Sequence, residues 1–168
     1  MAAIRIRLWT LAILMSAMPA IAQAAHAADV PTLSLESNAN IAAQAKALME
    51  SARSAPTGVA TVVLETYPGH SVMMVVRAKT GPAETHANWN DVMVVLDGEA
   101  TEVTGGTMVE GKLDPATGEM RGPSVEGGTH TAIAKGDVVH VPPNTPHWAI
   151  LAPGKTLTLL VVKVAASK

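Results

Sequence analysis

From residue 58 to residue 164 the chain is written in short runs of β-branched and aliphatic residues, each closed by Gly, Pro, Asn or Asp. This punctuation marks a sandwich or barrel. The runs predict strands over 59–66, 71–78, 91–96, 99–104, 107–112, 129–134, 138–141 and 156–164. Tyr67-Pro68-Gly69-His70, Gly105-Gly106 and Pro153-Gly154-Lys155 supply turns, and Asp97-Gly98 is a hairpin signal between two of the runs. Residues 114–123, dense in Gly and Pro, read as an exposed loop or loose hairpin. Ahead of the β region, Asn38 or Asn40 can cap a helix through about Arg53. Its apolar stripe of Ile41, Ala45, Leu48, Met49 and Ala52 is suited to packing across the outside of a barrel or a sheet edge.

Residues 1–24 have the pattern of a secretory signal peptide: Arg5 and Arg7 at the front, an apolar stretch over 8–18, and Ala22-Gln23-Ala24 as a small-x-small cleavage site. Export to a periplasm, or secretion, is the expectation, with no membrane attachment after cleavage. Residues 25–57 then form a Pro-containing leader and the helix, and residues 58–164 one β domain. Cleavage would remove two cations and take the formal charge from −2 to −4. A mildly acidic chain without basic clusters argues against a nucleic-acid partner. The chain has no Cys, hence no disulfide, no thiolate metal site and no Cys nucleophile. It also lacks a Gly-x-Ser-x-Gly elbow and a phosphate-binding Gly loop.

The chemistry gathers in two segments. In the first, Glu84 and His86 are two apart and share a face if extended, and Asp91 opens the next apolar run. The second ends in a Pro-rich turn followed by His147. Together they give two imidazoles and one or two carboxylates, a set suited to a divalent first-row metal such as Mn, Fe, Zn or Ni. An Asp is shorter than a Glu by one methylene, roughly 1.5 Å of reach. Asp91 therefore either reaches the metal or holds a water or His86 instead. His140 is a surface residue, a group behind the ligands, or a general base. Past residue 24 the aromatic side chains are Tyr67, Trp89 and Trp148, and the two Trp adjoin the proposed ligands. They serve as core filling or as the wall of a substrate pocket.

The pair of segments resembles the two motifs of the cupins. Glu84-x-His86, four residues, Asp91, six residues and Gly98 match the spacing of the first motif; Gly136, five residues, Pro142-x-Asn144, two residues and His147 match the second. Glu84 stands where His is usual, Asp91 where Glu is usual, Asn144 where Gly is usual, Leu151 where Asn is usual, and Ala78 in place of the opening Gly. The resemblance implies an all-β double-stranded β-helix, jelly-roll-like, with one short N-terminal α-helix. It implies Glu84, His86, Asp91 and His147 as metal ligands, and often a homodimer. For function it implies a metal-dependent enzyme such as a dioxygenase, isomerase or lyase acting on a small polar molecule. A non-catalytic sugar-binding, small-molecule-binding or structural barrel is the alternative.

Overall fold

The computed structural model describes residues 35–167. The signal-peptide segment and most of the leader lie outside them. In chain order the elements are α1 (Asn38–Ser54), β1 (Val59–Tyr67), β2 (His70–Arg77), β3 (Ala83–His86), β4 (Trp89–Thr104), β5 (Thr107–Val109), β6 (Lys112–Asp114), β7 (Glu119–Gly122), β8 (Ser124–Glu126), β9 (Thr129–Ala134), β10 (Val138–Val141), β11 (His147–Ile150) and β12 (Leu157–Ala165). Among the described residues no helix is long and apolar enough to cross a membrane.

Ten strands form one curled antiparallel sheet in the order β1-β2-β12-β4-β11-β3-β7-β6, with β9 and β10 also pairing β4. The architecture is all-β with one helix, as the motif resemblance implies. The axis of the curl is β4. Its first half pairs β12 and β10, and its second half pairs β11 and β9, so one strand belongs to both walls. Where a hairpin was expected at Asp97-Gly98, the strand runs on. Leu159 pairs Val95 while Thr158 pairs Asp97, a bulge that leaves Leu96 as the extra residue. Gly98 follows with φ +85°, and a Cβ there would collide with the Thr156 carbonyl. Close approach of β12 thus explains the glycine.

Alternation along the strands sorts the side chains. Met93, Val95, Leu159 and Val161 face inward and build the main core with Ala100, Ile133, Val141, Ala149, Leu151 and Leu157. Met74 and Val76 face outward and are covered by α1. The whole expected stripe of Ile41, Ala45, Leu48, Met49 and Ala52 lies on them. The helix cap is neither Asn38 nor Asn40 but Ser37, whose hydroxyl accepts from the Asn40 amide at 3.2 Å. Ser is as good a cap as Asn, so residue type alone could not choose. Ser37→Ala should lower unfolding free energy by about 1 kcal/mol in denaturant titration.

Two turns position the second motif. Gly136 adopts φ 96°, and Asn144 takes the left-handed value of 59° that lets it stand in for glycine. The Asn144 amide donates to the His86 carbonyl at 2.8 Å, tying the loop before His147 to the strand that carries His86.

Candidate metal centre

Cross-strand pairing builds the site. Glu84 on β3 pairs directly with His147 on β11 and with Arg121 on β7. His86 pairs with Glu119, and Asp91 on β4 pairs with Lys163 on β12. Directly opposed residues share a face, so these side chains converge in one cavity of about 330 Å³. Glu84, His86 and His147 each bring a ligand atom to within 4.8 Å of the others, and they form the one such group among the described residues. His86 and His147 are buried, and their ring centroids are 5.0 Å apart.

The hydrogen bonds behind the imidazoles fix which nitrogen faces the cavity. His86 Nδ1 lies 2.6 Å from Glu119 Oε2, and His147 Nδ1 lies 3.2 Å from the Thr145 carbonyl. With Nδ1 donating to an oxygen, each ring turns the lone pair of Nε2 inward, the arrangement found at metal-bound histidines. Both Nε2 atoms then face Asp91 Oδ2, at 3.2 and 3.9 Å. Two lone pairs and a carboxylate oxygen repel one another unless a metal ion stands among them or, in the metal-free chain, a proton bridges His86 Nε2 and Asp91 Oδ2. The donor set therefore fits a divalent ion.

Asp91 is also held from behind by Lys163, whose Nζ is 3.1 Å from Oδ1. Its carboxylate rests against His86 and Lys163, one of the two arrangements its short reach allows, with Oδ2 still turned to the ligand group. Burial would raise the Asp91 carboxyl, but His86 and Lys163 outweigh it and hold its pKa below the ordinary value. Glu84 behaves alike: burial opposes ionisation, while Arg77, the hydrogen bond from Arg121 and His147 hold the pKa down. The two imidazoles diverge. Burial and the charge of His86 push His147 down, keeping it neutral as a ligand must be. His86 is raised, since the hydrogen bond and charge of Asp91 and the charge of Glu119 overcome burial and Lys163.

Other expected residues stand apart. His140 is exposed, because it pairs Val92 and so points opposite to Asp91. It lines a second depression that shares only Glu102 with the cavity of the ligand group, and it does not join that group. Trp148 follows the inward His147 and faces out, packing with Ala83, Val103 and Val125 while its Nε1 donates to the Gly81 carbonyl at 2.8 Å. Trp89 is half-buried at the start of β4. Neither Trp lines the cavity.

The structure adds residues that the motifs do not mark. Glu119 and Arg121 come from the segment read as an exposed loop or loose hairpin; it is the hairpin, β6 turning into β7, and β7 also pairs with β3. Their period-two spacing, matching Glu84 and His86, was the available signal. Arg77 and Lys163, single cations in otherwise apolar runs, also line the cavity, as does Glu102. Because Glu119 orients His86, Glu119→Gln should weaken divalent-metal affinity about 10- to 100-fold in competition with a chelator. An unchanged affinity would remove Glu119 from the site.

No family model and no curated protein matches the sequence. Among solved structures the chain is similar to a cupin 2 conserved barrel domain protein from Rhodopseudomonas palustris, at 21% identity over 66% of this chain and 63% of that one, TM-score 0.46. It is similar to a cupin 2 conserved barrel domain protein from Salinispora arenicola, at 16% identity over 66% of this chain and 78% of that one, TM-score 0.46. A third similarity is to a recombinant oxalate oxidase in complex with glycolate, at 18% identity over 67% of this chain and 53% of that one, TM-score 0.48. The chain thus spans less than two thirds of the Rhodopseudomonas protein and about half of the oxidase.

Proposed function

We propose that this chain is an exported, cupin-like metalloprotein that binds or transforms a small polar molecule beside a divalent first-row ion. Glu84, His86 and His147 would hold the ion, with Asp91 in place as a fourth donor. The observation that carries the reading is the convergence of two buried Nε2 lone pairs on a carboxylate oxygen at 3.2 and 3.9 Å. Carboxylate and imidazole donors without thiolate suit Mn or Fe better than Cu. Three or four protein donors leave positions open on a six-coordinate Mn or Fe ion, whereas four would close a tetrahedral zinc site.

When bound, the ion would supply Lewis acidity to an oxygen of the ligand or of a coordinated water. The chain's own part is to keep His147 neutral, to hold Glu84 and Asp91 ionised, and to orient His86 through Glu119. Lys163 and Arg121 balance the charge of the carboxylates they touch. Met73, Val75, Met93, Leu159 and Val161 line the same cavity and limit the water around the polar groups. The pattern of residues 1–24 supports delivery to the periplasm.

The test is the melting of chelator-stripped protein titrated with Mn, Fe, Zn and Ni salts. Stabilisation should reach about 3 kcal/mol when free metal exceeds Kd by a hundredfold. No shift with any of the four contradicts the reading.

A further inference from the structure

Two charged side chains in the cavity are left over from the metal site. Arg77 closes β2, pairs Val59 and Leu157, and is 7% exposed. Its Nε and Nη1 are buried and make no hydrogen bond. Glu102, brought inward by the bulge in β4, is 2% exposed, and neither of its oxygens makes a hydrogen bond of ordinary geometry. The two feel each other, since Arg77 draws the Glu102 pKa down, yet no ion pair joins them. Burying guanidinium N–H groups and a carboxyl group without full hydrogen bonding is costly. Both line the chamber that holds Glu84, His86 and His147.

We infer that Arg77 and Glu102 are the specificity pair for a small hydroxycarboxylic acid, the guanidinium taking its carboxylate and Glu102 accepting from its hydroxyl. The inference rests on the reading of this cavity as a ligand chamber. Charge selects the class. The cavity holds three cationic side chains, Arg77, Arg121 and Lys163, against the four carboxylates Glu84, Asp91, Glu102 and Glu119. Above about pH 7, where Glu102 too is ionised, a divalent ion and a singly charged ligand bring that set to neutrality, whereas a phosphate dianion would leave it negative. The free N–H groups of Arg77 match a carboxylate oxygen through charge-assisted hydrogen bonds. A neutral polyol would leave the guanidinium uncompensated. Glu102 supplies the acceptor that a hydroxyl needs, and the apolar wall of Met73, Val75 and Met93 accommodates a short carbon chain.

Lactate is the minimal probe, with lactamide and propane-1,2-diol lacking the carboxylate, propionate lacking the hydroxyl, and inorganic phosphate as the competing anion. Calorimetric titration of metal-loaded and of metal-free protein should show lactate binding at least about tenfold more tightly than either carboxylate-free analogue. Propionate should bind more weakly than lactate. Arg77→Gln should erase the preference for lactate over lactamide, and Arg77→Lys should keep part of it. Equal affinity for lactate and lactamide, tighter binding of phosphate, or no response to lactate, glycolate or 2-hydroxybutyrate at millimolar concentration overturns the inference. The wild-type series needs no variant to fold. Metal content is read on the same samples: bound metal with indifference to the acids refutes the specificity pair alone. Absent metal refutes the metal site, and the acid series on the metal-free chain still decides on Arg77.

Discussion

In metal-free protein, Glu102→Gln should raise unfolding free energy by about 3 kcal/mol at pH near 8 and change it little at pH near 4. Burial pushes the Glu102 carboxyl up from 4.5 to about 7, and Arg77 and the Trp148 backbone offset that only in part. Between those two values the folded chain keeps a proton that the unfolded chain has released. Stability therefore falls as pH rises from about 4.5 to about 7 and stays low above it. Glutamine keeps the shape of the neutral acid and cannot ionise, so the variant should lose that slope. His86, held above its ordinary value, also favours the folded state at lower pH, and His147, held below its own, favours it at higher pH. Both remain in the variant, so the difference between the two proteins isolates Glu102. Denaturant titrations across this range in chelator provide the check, and parallel curves would show that Glu102 ionises freely in the fold.

His147→Ala should weaken divalent-metal binding by on the order of a hundredfold or more, beyond the effect of disturbing Glu119 behind His86. His147 gives the ligand group one of its three members, and besides His86 no other described imidazole belongs to it. The fold should persist. The side chain is buried but contacts Asp91 only at 3.9 Å and donates to one backbone carbonyl, so metal-free stability should change by about 1–2 kcal/mol at most. Chelator competition measures the affinity and denaturant titration the stability. Equal metal affinity in both proteins would mean that the imidazole is not a ligand.

How far the sequence reaches can be judged from individual residues. Strand runs and the helical stripe were legible because burial imposes their periods directly: all five stripe residues lie on Met74 and Val76. Glu84, His86 and His147 were legible because their spacing survives in the two motifs. Glu102 was not. Counting alternately from Asp91 puts it on the outer face, and only the one-residue bulge at Leu96 turns it inward. Asp97-Gly98 misled for the same reason, since a residue pair that favours a tight turn also serves a bulge pressed against β12. Glu119 and Arg121 were hidden in a stretch rich in Gly and Pro, where pairing with β3 overrides weak local preference. The two Trp were singled out by nearness in sequence to the ligands, and alternation sends Trp148 to the opposite face. His140 takes the surface position that was one of its readings.

The most direct test of the metal centre is elemental analysis of the mature protein, purified without a histidine tag, beside a His86→Ala/His147→Ala double variant. The account expects close to one Mn, Fe, Zn or Ni per wild-type chain and none in the variant. No metal in either protein, even after incubation with all four ions, would contradict it.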